Sequence, residues 1–97
     1  STALLTNLRA NRIALATEIA QSEIERQRSD GDLVAYSTAL NHQLLPNGRL
    51  TVLVADYNAQ MKLTQLTARV TWQGHRARRE DVTLVTVVSK RAKHTGG

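Results

Sequence analysis

The 97-residue sequence contains no cysteine and no phenylalanine. The absence of cysteine excludes disulfide bonds, thiol catalysis and thiolate metal ligands. No apolar run approaches the ~20 residues that a helix needs to cross a bilayer. Because the chain has only one tryptophan and two tyrosines, its core must consist mostly of leucine, valine, isoleucine and alanine.

Motifs for catalysis and metal binding are also missing from the sequence. His42, His75 and His94 are far apart, and none has a carboxylate or a second histidine at ligand spacing. Asp30 and Asp32 flank a glycine, a pattern that suits helix capping better than acid–base chemistry. There is no nucleophile-elbow, phosphate-loop or zinc-protease motif. We therefore expect a protein that is not an enzyme, with no cofactor, no metal and no small-molecule substrate.

The segment 1–28 is predicted to form a long helix, because it lacks glycine and proline and little in it resists helix formation. At about 100° per residue, its apolar side chains cover an arc of roughly 200°, wider than the ~100° stripe that covers one core. The arc contains Leu4, Leu5, Leu8, Ile13, Leu15, Ala16, Ile19, Ala20 and Ile24. So broad a face predicts that the helix packs both on its own domain and on a partner.

The start of the helix is predicted to be an assembly interface. The apolar pattern is already established at Leu4, which leads us to expect that the helix continues upstream. Arg9 and Arg12 lie within the otherwise apolar arc. Their stems could cover apolar surface while the guanidinium groups reach water, and pairing with an acidic residue of an adjacent subunit is an equal alternative. The predicted interface consists of Leu4, Leu5, Leu8, Arg9 and Arg12.

Downstream of the first helix, the sequence predicts a short second helix over 33–45. Large apolar residues recur there at spacings of three and four, namely Leu33, Tyr36, Leu40 and Leu44. Gly31 suits the left-handed residue that follows a helix C-terminus. Pro46, Asn47 and Gly48 predict a turn, in which asparagine and glycine tolerate a positive φ.

The period of the pattern then changes from 3.6 to 2, which predicts a three-stranded sheet over 49–89. The clearest strand is 63–73, where one face carries Leu66, Ala68, Val70 and Trp72. Alternation of apolar and polar residues is typical of an antiparallel strand with one face on the core. The sequence therefore predicts one α+β domain, 1–97, with two helices packed on a three-stranded antiparallel meander and a flexible tail over 90–97.

The whole chain has a net charge of +5. Its basic residues are concentrated in the last third. They lie in the turn 74–79 and after the last predicted strand. The candidate nucleic-acid contacts are Arg76, Arg78, Arg79, Lys90, Arg91 and Lys93. Solvated surface residues are the commoner explanation of such clusters. If DNA is bound there, binding should be electrostatic and should weaken steeply with salt.

Three motifs follow the long helix in order. They are Leu44-Leu45-Pro46-Asn47-Gly48, then Ala68-Arg69-Val70-Thr71-Trp72, then Val82-Thr83-Leu84-Val85-Thr86-Val87-Val88-Ser89. In this order the chain resembles the type IV minor pilins of the pilus-modification kind and the minor pseudopilins of type II secretion. In those families a Leu-Pro-Gly-like turn precedes the sheet, and a Val-Thr-Trp strand pairs with a terminal strand of threonines and valines.

This resemblance implies a non-enzymatic subunit whose partners are other pilin or pseudopilin subunits. An upstream hydrophobic half-helix, preceding Ser1, would anchor it in the bacterial inner membrane. After assembly it would lie in a pilus or pseudopilus, at the cell surface or in the periplasm. Its role would be in assembly or at the fibre tip, in adhesion, motility, secretion or DNA uptake.

Two other classes of protein remain open on the residues alone. One is a small basic nucleic-acid-binding domain, which would require strongly salt-dependent binding to DNA or RNA. The other is a soluble partner-binding module that uses the long helix, which would require a stable oligomer in solution.

Overall fold

In a computed structural model, which describes residues 2–89 and the side chains within residues 7–89, a single long helix precedes four strands. The helix α1 runs from Thr2–Asp30. The strands are β1 (Tyr36–Leu40), β2 (Gly48–Asn58), β3 (Leu63–Gln73) and β4 (Arg79–Val88). The predicted tail, 90–97, lies outside the described residues.

The four strands form one antiparallel sheet in which spatial order follows chain order, β1-β2-β3-β4. Val70 of β3 lies between Leu50 of β2 and Val82 of β4. The ladder between β2 and β3 shifts register between Asp56 and Asn58. Short connections join neighbouring strands, so the sheet is a meander.

The predicted second helix over 33–45 is wrong, and with it the three-stranded sheet. Residues 36–40 form the edge strand β1, with Tyr36 opposite Val52 and Leu40 opposite Gly48. A separation of four residues places Tyr36 and Leu40 on one face of a strand as well as on one face of a helix. The spacing of the apolar residues therefore did not distinguish a helix from a strand. Pairing with β2 provides hydrogen bonds for the backbone groups on one side of this segment, and these favour the strand.

The chain between β1 and β2 forms a turn that closes one end of the core. Leu45 is fully buried, whereas its neighbour Leu44 is exposed. Asn47 has a φ of 52°, as the turn prediction required. At Gly48 an added Cβ would lie 2.9 Å from the Leu45 carbonyl oxygen, so only glycine permits this close approach.

The core lies between α1 and the inner face of the sheet. The inner face of β3 is fully buried, as its alternation predicted, with Leu66, Ala68, Val70 and Trp72 each at 0% exposure. The helix packs on β3 and β4 through Ala16, Ala20 and Ile24. The two alanines allow the helix backbone to approach the sheet closely.

The end of α1 is connected to the chain entering β1 through the buried side chain of Gln27. Gln27 is 1% exposed. Its Oε1 accepts a hydrogen bond from the Val34 N–H at 2.7 Å, and its Nε2 donates to the Val34 carbonyl oxygen at 2.9 Å. The amide thus pairs with Val34 as the peptide group of a neighbouring strand would. The helix ends at Asp30, and Gly31 after it has a φ of +89°, the left-handed conformation that the sequence predicts.

Glu23 is a buried carboxylate one turn before Gln27. It accepts hydrogen bonds from Gln27 Nε2 at 2.9 Å and from the Arg26 guanidinium, and Tyr36 also hydrogen-bonds to it. Burial alone would raise the pKa of Glu23, but the hydrogen bonds from Arg26, Gln27 and Tyr36 outweigh burial and lower it. The ionised form therefore stabilises the junction between α1 and β1.

We expect Glu23→Gln to lower the melting temperature at pH 7 by about 4 °C or more. A loss of ~1 kcal/mol in the free energy of unfolding corresponds to at least this shift in a domain of this size. The pKa of Glu23 is lower in the folded chain, so its contribution is present above the ordinary value of 4.5 and is lost as the pH falls through the folded value. The difference from the unmodified protein should therefore shrink below pH 4.5. Thermal melts of both proteins from pH 7 to pH 3 measure this.

The matched control is Glu25→Gln, which removes the same charge from an exposed position of the same helix. It should leave the stability nearly unchanged at every pH. A constant difference between Glu23→Gln and the unmodified protein down to pH 3 would contradict the assignment of acid sensitivity to this carboxylate.

Candidate functional site

An open cleft lies between the N-terminal half of α1 and the turn that connects β3 to β4. Its volume is about 960 Å³. The helix contributes Leu8, Arg9 and Arg12, and the turn contributes His75, Arg76, Ala77 and Arg78. Pro46, Gln73, Gly74 and Glu80 complete the lining. We call this feature the basic cleft.

The turn at the basic cleft is held in a conformation that non-glycine residues rarely adopt. Arg76 and Ala77 have φ values of 57° and 59°. The Arg78 N–H donates to the His75 carbonyl oxygen at 3.2 Å, and the Gly74 N–H donates to the Arg78 carbonyl oxygen at 2.6 Å. Hairpin turns with two positive φ values usually contain asparagine and glycine, so this turn is strained at the residues that line the cleft.

Glu80 is the carboxylate of the basic cleft, and it pairs with Arg9. The Arg9 Nε lies 3.1 Å from the Glu80 Oε1, with the arginine side chain 69% exposed and the glutamate side chain 17% exposed. A Cβ added at Gly74 would collide with the Glu80 side chain. Gly74 thus makes room for the carboxylate that Arg9 neutralises.

Arg12 has a buried polar atom that the described residues leave unsatisfied. Its Nε is buried and has no hydrogen-bond partner among them, and the same holds for the Nε1 of Trp72. A buried donor without a partner costs about 1–3 kcal/mol. Within residues 7–89, Arg12, Arg76 and Arg78 have no carboxylate within ion-pair distance, so the cleft carries unpaired positive charge.

The residues predicted as two separate sites meet in this cleft. Leu8, Arg9 and Arg12 come from the predicted assembly interface, and Arg76 and Arg78 from the candidate nucleic-acid contacts. The side chains of Leu4 and Leu5 lie outside the described part of the structure, as do Lys90, Arg91 and Lys93. His75 and Glu80 belong to the cleft but were not predicted, because only the fold places them near the helix.

Arg79 is separated from the other turn arginines. Its Nη2 donates to the Thr71 Oγ1 at 3.2 Å. Since side chains alternate along a strand, Arg79 and Thr71 lie on the outer face of the sheet, opposite to the face that carries Glu80 and Trp72. The three arginines of the turn therefore do not form one surface.

The outer face of the sheet is a second surface of interest because it exposes apolar side chains. Leu53 and Val85 are 54% and 56% exposed. Both lie beside Thr67, which pairs with Leu53 on one side and with Val85 on the other. Val87 and Tyr57 are also exposed. Thr67 separates Leu53 from Val85, so these apolar residues are interleaved with polar ones and do not form one continuous apolar patch.

No helix in 2–89 is long and apolar enough to cross a membrane. No group of three or more histidine, aspartate or glutamate side chains in that part of the chain is placed to hold a metal ion.

No family model, curated protein sequence or solved structure matches this chain.

Proposed function

We propose that this chain is part of a minor pilin or minor pseudopilin, a subunit that takes part in the assembly or tip function of a type IV pilus-like fibre. The observation that carries the proposal is the division of α1 into two parts. From Ala16 onward the helix contributes buried residues to the core, whereas the described positions before it, 7–14, are exposed or half-buried. A long helix that contributes core residues only from its later part fits a subunit whose helix continues into a fibre core.

Apolar residues on the early part of the helix support this function. Ile13 is 41% exposed, Leu8 is half-buried, and Ala10 and Ala14 are exposed. Apolar surface of this kind is unfavourable in water and is typical of an interface. In a fibre it would pack against the helices of other subunits.

The overall dimensions and the sequence motifs also support the proposal. The chain is elongated, with extents of 58 × 22 × 19 Å. The strand that contains Val70, Thr71 and Trp72 pairs with β4, the threonine- and valine-rich strand, as the resemblance implied. The inner-membrane anchor and location in a fibre remain parts of the proposal.

The test uses the full-length protein with Leu5→Gln and Leu8→Gln, produced in cells that make type IV pili. We expect this variant to fold and to reach the membrane, yet to be missing from sheared fibres, because the polar amides disfavour packing among apolar helices. Immunoblots of sheared fibres and of membrane fractions measure the two quantities.

Met61→Gln is the matched control, since it makes the same kind of change at an exposed residue in the turn between β2 and β3, away from the helix. It should enter fibres at the normal level. Normal incorporation of the Leu5→Gln/Leu8→Gln protein would overturn the assembly function and favour a soluble partner-binding module instead.

A further inference from the structure

We propose that the basic cleft binds a phosphate group. The first argument is the balance of charge around the cleft. Four arginines line it, Arg9, Arg12, Arg76 and Arg78, against the single lining carboxylate of Glu80. Since Arg9 already pairs with Glu80 at 3.1 Å, three guanidinium groups remain without a carboxylate partner among the described residues. Like charges that line one cleft repel each other, and an anion bound in the cleft would offset this repulsion.

The second argument concerns the buried Nε of Arg12. It has no hydrogen-bond partner in the described structure, and its side chain lines the cleft. The planar guanidinium group matches phosphate through paired hydrogen bonds, and a phosphate that turned the Arg12 side chain towards the cleft would give its Nε a partner.

The third argument is the backbone of the turn. Arg76 and Ala77 both adopt positive φ values, although neither is a residue that favours them. Strained residues of this kind are found preferentially at binding sites, where the strain fixes a side-chain arrangement. Here the strained turn places Arg76 and Arg78 across the cleft from the arginines of the helix.

Phosphate is favoured over a carboxylate because several arginines line the same cleft. A free phosphate presents four acceptor oxygens and up to two negative charges, and a lipid phosphodiester presents one charge and four oxygens on a tetrahedral centre, whereas a carboxylate presents two oxygens in one plane and one charge. The cleft, at about 960 Å³, is larger than one phosphate and is open, so it can admit either a free phosphate or the headgroup of a phospholipid. This inference rests on the charges of the cleft and holds whether or not the protein enters a fibre.

Trp72 provides an intrinsic reporter of binding. It is the only tryptophan in the chain, it is fully buried, and it lies opposite Glu80 in the β3–β4 ladder. The next two residues in the chain, Gln73 and Gly74, line the cleft. A ligand that binds the arginines near Glu80 should therefore change the fluorescence emission of Trp72.

The experiment titrates the protein with inorganic phosphate and, separately, with vesicles of phosphatidylglycerol or of phosphatidylcholine. We expect saturable binding to phosphate or to phosphatidylglycerol. The affinity should fall by about tenfold or more after Arg12→Gln or after Arg76→Gln/Arg78→Gln, because each change removes charged hydrogen bonds. The turn variant alters exposed residues only, which keeps the test valid if Arg12→Gln impairs folding. Binding to vesicles alone would identify a headgroup as the source, and binding to phosphate alone would identify a free anion.

Arg49→Gln is the matched control, because it removes the same charge from an exposed residue that donates to Ser37 Oγ at 3.0 Å and does not line the cleft. It should change the affinity by less than about twofold. Equal losses in Arg49→Gln and in the cleft variants would overturn the proposal in favour of non-specific attraction. The proposal would also be overturned if neither phosphate nor phosphatidylglycerol bound saturably. A DNA duplex is titrated as a third probe, and binding to the duplex alone would overturn the proposal as well.

Discussion

Val70→Asp should abolish folding, whereas Thr71→Asp, one residue further along β3, should fold normally. Val70 is fully buried between α1 and the sheet. Its replacement removes an apolar side chain from the core and places a carboxylate there without a partner, at a cost of more than about 4 kcal/mol. Thr71 lies on the outer face, where an aspartate meets no core. Arg49 of β2 and the Arg79 guanidinium, 3.2 Å from the Thr71 hydroxyl, would attract it, whereas Asp81 on the β4 side would repel it, so the two effects largely offset each other.

Thermal unfolding followed by circular dichroism distinguishes these two outcomes. The Thr71→Asp protein should melt within a few degrees of the unmodified protein. The Val70→Asp protein should show no cooperative transition. Similar melting temperatures for the two variants would mean that the described faces of β3 are assigned in the wrong register.

Gln27→Leu should destabilise the protein by about 3 kcal/mol, although leucine has a similar size and is apolar. The buried amide makes hydrogen bonds to Glu23 Oε2 and to both backbone groups of Val34. Leucine would leave these groups without this partner, and each unsatisfied buried group costs about 1–3 kcal/mol. The effect exceeds that expected for an exposed glutamine on a helix.

Urea unfolding of Gln27→Leu and of the control Gln21→Leu measures the difference in the free energy of unfolding. Gln21 is exposed on the same helix, so its replacement should change stability by less than about 0.5 kcal/mol. Equal effects of the two substitutions would show that the pairing of Gln27 with Val34 does not stabilise the junction between α1 and β1.

The parts of the fold that the sequence predicts are those with a repeated pattern. The long helix and the buried face of β3 follow from periodicity over many residues, and β3 has the predicted bounds. The edge strand β1 is only five residues long, and four of the apolar residues around it fit a helical period. Its structure depends on pairing with β2, a contact that no local pattern contains. This is why a helix was predicted there.

The candidate site was predictable only in fragments. Arg9 and Arg12 are conspicuous within an apolar arc, and Arg76 and Arg78 within a basic turn, but nothing in the sequence relates the helix to the turn. Their convergence depends on how α1 lies across β3 and β4. Gln27 shows the same limit, since a glutamine on a charged helix gives no sign of being 1% exposed.

The packing of α1 on β3 and β4 has a consequence for the order of events during synthesis. The helix leaves the ribosome before either of the strands that cover it. The helix residues that contact the sheet therefore stay exposed to solvent and to other nascent chains until β4 has been synthesised. Apolar surface that is exposed at this stage promotes aggregation. Ala16 and Ala20, at the centre of this contact, present less apolar area than leucine or isoleucine would. The side chains that permit close packing in the finished protein thus also limit the hazard to the unfinished one.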